Sequence, residues 1–129
     1  MPDVLERVET YTYDSEFAER QYNRCSSVDG RVVVSDMRGE DELVPVNRFL
    51  VYALYPECVA SIRVDNTQSG QVRIAAGKSV LDRSSKANIG SLMLAHGGGG
   101  LAAAGACRVD PGQVDGIVEQ LLRDINAAG

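Results

Sequence analysis

Apolar positions along the chain fall into short runs of two periods, and each run predicts an element. Phe17, Ala18, Gln21, Tyr22 and Cys25 share one helical face, with Asp14 placed to cap the helix. Asp29-Gly30 ends that region in a turn. Arg31-Val32-Val33-Val34-Ser35-Asp36 is β-branched and bounded by turn signals, which predicts a buried strand. Gly39 to Glu42 is a charged loop, after which Pro45 can open a short helix containing Phe49, Leu50, Ala53 and Leu54 that stops before Pro56. Val59 to Val64 predicts a second strand, Asn66 to Gly70 a hairpin-like turn, and Gln71 to Ala75 a third strand. Ile89 to Ala95 predicts a short helix that runs into glycines, and Ala104 to Val109 a fourth strand.

The last helix is the clearest. Asp110 is its expected N-cap, Pro111 its first residue and Gln113 the partner in a capping box. Val114, Ile117, Val118, Leu121, Leu122 and Ile125 then form one continuous apolar stripe, which gives this helix a structural role. Strands interleaved with helices predict an α/β fold, with a mixed β-sheet of about four to five strands packed against helices. No internal repeat or linker divides the chain, so residues 1–129 are expected to form a single domain.

Composition supports a packed core, since 44% of residues are apolar. The longest apolar stretch, Phe49 to Tyr55, falls far short of the roughly 18–20 residues that cross a membrane. The acidic start, Met1-Pro2-Asp3-Val4-Leu5-Glu6, reads as neither a secretory signal nor a transit peptide. Cys25, Cys58 and Cys107 are odd in number and widely spaced, as expected of reduced packing thiols in a cytoplasmic protein.

Charge changes the picture through its distribution. The chain carries a net charge of −5, which argues against a general nucleic-acid coat. Residues 58–108, however, hold six basic side chains (Arg63, Arg73, Lys78, Arg83, Lys86, Arg108) against two acidic ones, Asp65 and Asp82. A basic segment inside an acidic molecule suits a small anionic ligand better than long duplex DNA.

That segment contains Gly97, Gly98, Gly99 and Gly100. Four consecutive glycines lose much backbone entropy on folding, so the run makes sense where φ is positive or where another group must touch the backbone. Successive N–H groups beside a helix N-terminus can hold an anion, and a tight structural turn explains the run equally well. Arg83 can grip a phosphate bidentately, Lys78 and Arg63 can add charge, and Ser79, Ser84 and Asn88 can add neutral hydrogen bonds. Arg73 reads as a strand residue facing water, and Tyr52 and Tyr55 as core or interface residues.

The local spelling is more specific. Gly77-Lys78-Ser79, Arg83-Ser84, Asn88-Ile89-Gly90 and His96-Gly97-Gly98-Gly99-Gly100-Leu101-Ala102-Ala103-Ala104-Gly105 resemble the signature of the DHHA1 domain. This is the C-terminal, substrate-binding half of DHH-family phosphoesterases, a family that includes exopolyphosphatase-related proteins and nanoRNase/pAp phosphatases. The resemblance covers most of the chain. It implies a single DHHA1-like domain over residues 1–129, without the DHH catalytic domain. It also implies a ligand that is a phosphate-containing small molecule, a nucleotide or a short single-stranded oligonucleotide. Gly97, Gly98, Gly99, Gly100, Lys78, Ser79, Arg83, Ser84, Asn88, His96 and Arg63 are the expected phosphate-binding residues.

Two departures narrow the expectation. Leu101 stands where the family has a histidine, with His96 as a substitute on the other side of the glycines. Asp36, Asp41 and Asp65 are isolated and lack metal-ligand spacing, so no catalytic or metal-binding residues are expected. No cofactor follows, manganese being required only where a DHH catalytic domain is present elsewhere. Three readings stay open: a binding domain without catalysis of its own, a phosphoesterase completed by a DHH catalytic partner, and a structural or homodimerising module.

Overall fold

The computed structural model describes residues 16–40, 48–79 and 84–129. Asp14, Pro45 and Arg83, with the expectations placed on them, lie outside these residues. Helix α1 crosses residues 16–25 and leads into strands β1 (Ser26–Asp29) and β2 (Val32–Asp36). Helix α2 (Arg48–Leu54) carries the chain over to β3 (Ala60–Asn66) and β4 (Val72–Lys78). Helix α3 (Ile89–Leu94), strands β5 (Gly99–Gly100) and β6 (Ala104–Val109), a 3-10 turn (Pro111–Gln113) and helix α4 (Val114–Ala128) complete it.

The strands form one six-stranded mixed sheet in the order β1-β2-β3-β4-β6-β5. Only β2 and β3 are parallel, and their connection passes through α2, as a parallel pair requires a crossover. The α/β expectation holds, with one or two more strands than expected.

The two additional strands are the ones with weak patterns. Strand β1 is short, polar and largely exposed, and it pairs with β2 through the Asp29-Gly30 turn, so the turn belongs to a hairpin. Strand β5 consists of two glycines and offers no side chain to alternate.

Alternation along the strands assigns the two faces. Val32, Ile62, Val64, Val72, Ile74, Cys107 and Val109 are buried under α3 and α4, where Ile89, Met93, Val114, Leu121 and Ile125 complete the core. The apolar stripe of α4 packs there as expected. The N-terminus of α4 differs from expectation. Residues Pro111–Gln113 form a 3-10 turn in which the Gln113 amide donates to the Asp110 carbonyl at 2.9 Å, and the Asp110 side chain makes no capping bond. The tighter turn satisfies by backbone an amide that the capping box would have satisfied by side chain.

The opposite face is covered at one end only. Ala18 and Tyr22 of α1, with Val51 and Tyr52 of α2, pack on Val33 and Met37 as a second, smaller cluster. The Tyr52 hydroxyl lies 3.0 Å from the Ser61 Oγ and donates to the Gly77 carbonyl at 2.9 Å, tying α2 to the ends of β3 and β4.

Candidate functional site

The same alternation builds an uncovered surface beyond that second cluster. Arg63 opposes Ala75, Asp65 opposes Arg73, and Ser61 opposes Gly77 across β3 and β4. Across β4 and β6, Arg73 opposes Arg108, Ala75 opposes Ala106, and Gly77 opposes Ala104. Gly99 of the edge strand opposes Ala106. Read in alternate residues, β4 gives Arg73, Ala75, Gly77 and the antiparallel β6 gives Arg108, Ala106, Ala104. The result is a floor of small residues with arginines at one end. A cavity of about 270 Å³ opens on this face beside α1 and α2, lined among others by Tyr22, Ser35, Ser61, Arg63, Arg73 and Ala75.

Charge on this face is only partly compensated. The Arg63 Nε donates to both oxygens of Asp65 at 3.0 and 3.2 Å, and its Nη1 donates to the Tyr22 hydroxyl at 3.4 Å. Arg63 and Asp65 are 11% and 14% exposed, so the pair is largely desolvated and fixed. Arg73 and Arg108 make no hydrogen bond or ion pair among the described residues. The sequence pattern predicts Arg73 as a strand residue facing water and assigns Arg108 no role. Their signal was the register, because an Arg-x-Ala-x-Gly strand and an Ala-x-Ala-x-Arg strand match only when paired antiparallel.

The four glycines turn out to have separate roles. Gly97 adopts φ 82° at the end of α3 and Gly100 φ 148° in β5, both values that side chains rarely adopt. A Cβ on Gly98 would lie 2.1 Å from the Ala106 carbonyl oxygen, so glycine there permits contact between the α3–β5 turn and β6. Gly90 of α3 plays the same part against the Gly100 carbonyl oxygen, at 2.4 Å. Gly99 has an ordinary φ and nothing within 4 Å of the position of a Cβ, so neither strain nor packing calls for glycine there.

The backbone donors are also spoken for. The Gly97 amide donates to the Leu94 carbonyl at 3.1 Å and the Gly98 amide to the Met93 carbonyl at 2.9 Å. At the start of α3, the Ile89 and Gly90 amides donate to the Ala102 and Leu101 carbonyls, and the Ser91 amide donates to the Asn88 Oδ1. An anion nest of free Gly97 and Gly98 amides beside an open helix N-terminus is therefore not what this segment forms. It forms a turn and hairpin that lock α3 onto β6.

The other expected site residues are dispersed. Lys78 ends β4 on the face of Ala76 and Ile74, opposite to Arg63, and its Nζ donates to the Ser85 carbonyl at 3.3 Å. Ser79 is buried, and its amide donates to the Val59 carbonyl at 2.8 Å. Ser84 is exposed, Asn88 caps α3, and His96 is half-buried just past that helix. Of the expected cluster, Arg63 and Gly99 share the open face.

Burial pushes the thiols of Cys25, Cys58 and Cys107 above the ordinary cysteine range, consistent with packing roles and not with nucleophiles. Among the described residues no three His, Cys, Asp or Glu side chains converge on a common point. This donor set does not fit the two-metal centre of a DHH catalytic half. No helix among these residues is long and apolar enough to cross a membrane.

This arrangement has a counterpart in solved structures. The pGpG-specific phosphodiesterase PggH from Vibrio cholerae superposes with a TM-score of 0.94 and 43% sequence identity over 100% of this chain. The chain is a DHH/DHHA1-type domain. It spans 44% of the length of PggH. The DHH domain of a member of the S1p family of ribosomal proteins shares the fold, with a TM-score of 0.64 at 13% identity over 98% of this chain and 32% of that one. No protein-family model and no curated protein sequence matches the chain.

Proposed function

We propose that this chain is the nucleotide-binding half of a DHH-type phosphodiesterase, and that the open face of β4, β6 and β5 receives the phosphates of a short nucleotide chain. The observation that carries the reading is the pairing of uncompensated arginines with a floor of alanine and glycine. Small residues let a planar ligand approach the sheet, and guanidinium groups supply the fork geometry that suits phosphate. The likeness to a pGpG-specific phosphodiesterase supports a dinucleotide as the ligand class. Arg83, outside the described residues, belongs to the same reading as a contact from the segment after β4.

Binding and cleavage separate in this proposal. The chain binds without cutting, and the metal ligands come from a DHH catalytic half, in a longer protein or on a partner chain. Manganese belongs to that half. The reading places the protein in the cytoplasm, in keeping with three unpaired thiols.

Calorimetric titration with pGpG, pAp and polyphosphate tests it. Saturable binding of the dinucleotide is expected, and no heat at millimolar ligand would overturn the reading. Manganese-dependent release of product is expected only after a DHH catalytic half is added.

One observation favours a second reading, a dimerisation module. Leu94 and Leu101 are 68% and 78% exposed, on α3 and on the hairpin that packs against it. A tight dimer in sedimentation, with no nucleotide affinity, would select it.

A further inference from the structure

Arg73 and Arg108 sit directly opposite one another on neighbouring antiparallel strands. Like charges in that position are unfavourable, and a fold has no structural use for them. The carboxylate that opposes Arg73 in register, Asp65, is held by Arg63 through two hydrogen bonds. Neither Arg73 nor Arg108 has another partner among the described residues. Among the described residues the pair is thus a dication without a counter-ion, at one end of a floor of alanine and glycine.

The geometry of the floor adds a length. Gly77 and Ala104 mark its other end, four residues from Arg73 and Arg108 along each strand. At the usual rise of a strand that is about 13 Å. A ligand lying along the floor therefore meets the arginine pair at one end, about this distance from Gly77 and Ala104.

We propose that Arg73 and Arg108 form a subsite for the terminal phosphate of a 5′-phosphorylated dinucleotide. The proposal rests on the nucleotide-binding reading and extends it to a choice between ligands. A terminal phosphomonoester carries nearly two negative charges at neutral pH, whereas the bridging diester carries one. Two guanidinium groups match the monoester in charge and in acceptor number. The subsite therefore distinguishes a dinucleotide bearing a 5′-phosphate from the same dinucleotide without it.

Titration of the chain with pGpG and with GpG, which lacks the 5′-phosphate, tests the assignment. The wild type is expected to bind pGpG at least about tenfold more tightly than GpG. R108Q and R73Q each reduce that preference, and in the double variant pGpG affinity falls to that of GpG. R123Q, on the far side of the molecule in α4, loses the same charge and keeps the preference. Arg108 is exposed, so R108Q is expected to retain the fold, and a melting curve matching that of the wild type verifies this.

Preference for pGpG retained in the double variant overturns the subsite. So does a wild type that binds both dinucleotides equally, an outcome that leaves the nucleotide-binding reading intact. A wild type that binds neither removes that reading and the subsite together.

Discussion

One side of strands β4 and β6 presents Ile74, Cys107 and Val109 to α3 and α4, and the other presents Ala75, Ala106 and a pair of arginines to solvent. The backbone is shared, and only the parity of the residue number differs. On the covered side, side chains are large and the gain is removal of apolar surface from water. On the open side they are too small for that purpose, and the charges have no partner among the described residues. If the open face binds as proposed, stability and binding divide between alternate positions of the same strands, and substitutions on the two sides should have separable effects.

The largest contrast is at Ile74. It is fully buried beneath the helices, so Ile74→Ala is expected to cost about 2–5 kcal/mol in chemical denaturation. Ala106→Val on the open side changes volume by a similar kind of step, yet a β-branched residue suits the strand and meets no covering element. Its stability should stay within about 0.5 kcal/mol of wild type while nucleotide binding weakens about tenfold or more. A large stability loss in Ala106→Val would mean that the face is covered after all.

Adjacent glycines sharpen the same division. Gly98→Ala drives a methyl group into the Ala106 carbonyl oxygen and is expected to destabilise by about 1–3 kcal/mol. Gly99→Ala meets nothing and should leave the melting curve where it was, lowering ligand affinity several-fold. If both variants melt alike, the run is a turn and nothing more.

These positions show what a sequence can and cannot reveal. The stripe of α4 was readable because six apolar residues repeat at helical spacing, and a repeat of that length has one interpretation. The glycine run was readable as unusual, but its division of labour was not. Whether a glycine relieves strain, admits a carbonyl or leaves a surface bare depends on strands that meet it from elsewhere in the chain. Arg73 and Arg108 are 35 positions apart in the sequence and become a pair only through the β4–β6 register. Arg63 and Lys78 show the reverse. Charge and proximity in the sequence group them, and strand alternation sends them to opposite faces.

The smallest expected effect tests the covered side through its rim. Asp36 belongs to the face of Val32 and Val34, and Arg38 donates to its two oxygens from Nε at 3.0 and 3.3 Å and from Nη2 at 2.7 Å. These bonds hold the Asp36 carboxyl below the usual carboxylate range, ahead of the opposing effect of burial. A carboxylate with a depressed folded value stabilises the fold above its unfolded pKa, about 3.9, and that contribution disappears as pH falls through the folded value. The Asp36 side chain is 41% exposed, so solvent screening keeps the gain below about 1 kcal/mol. Arg38→Gln is therefore expected to unfold slightly more easily than wild type at pH 7, with the difference shrinking to nothing in strong acid. Nucleotide affinity at pH 7 should not change, because Arg38 lies on the α4 side, where its Nη2 also reaches Asp115 at 3.5 Å. A loss of affinity in Arg38→Gln would show that the two sides of the sheet are coupled, and the division by parity would then fail as an account of how this domain separates folding from binding.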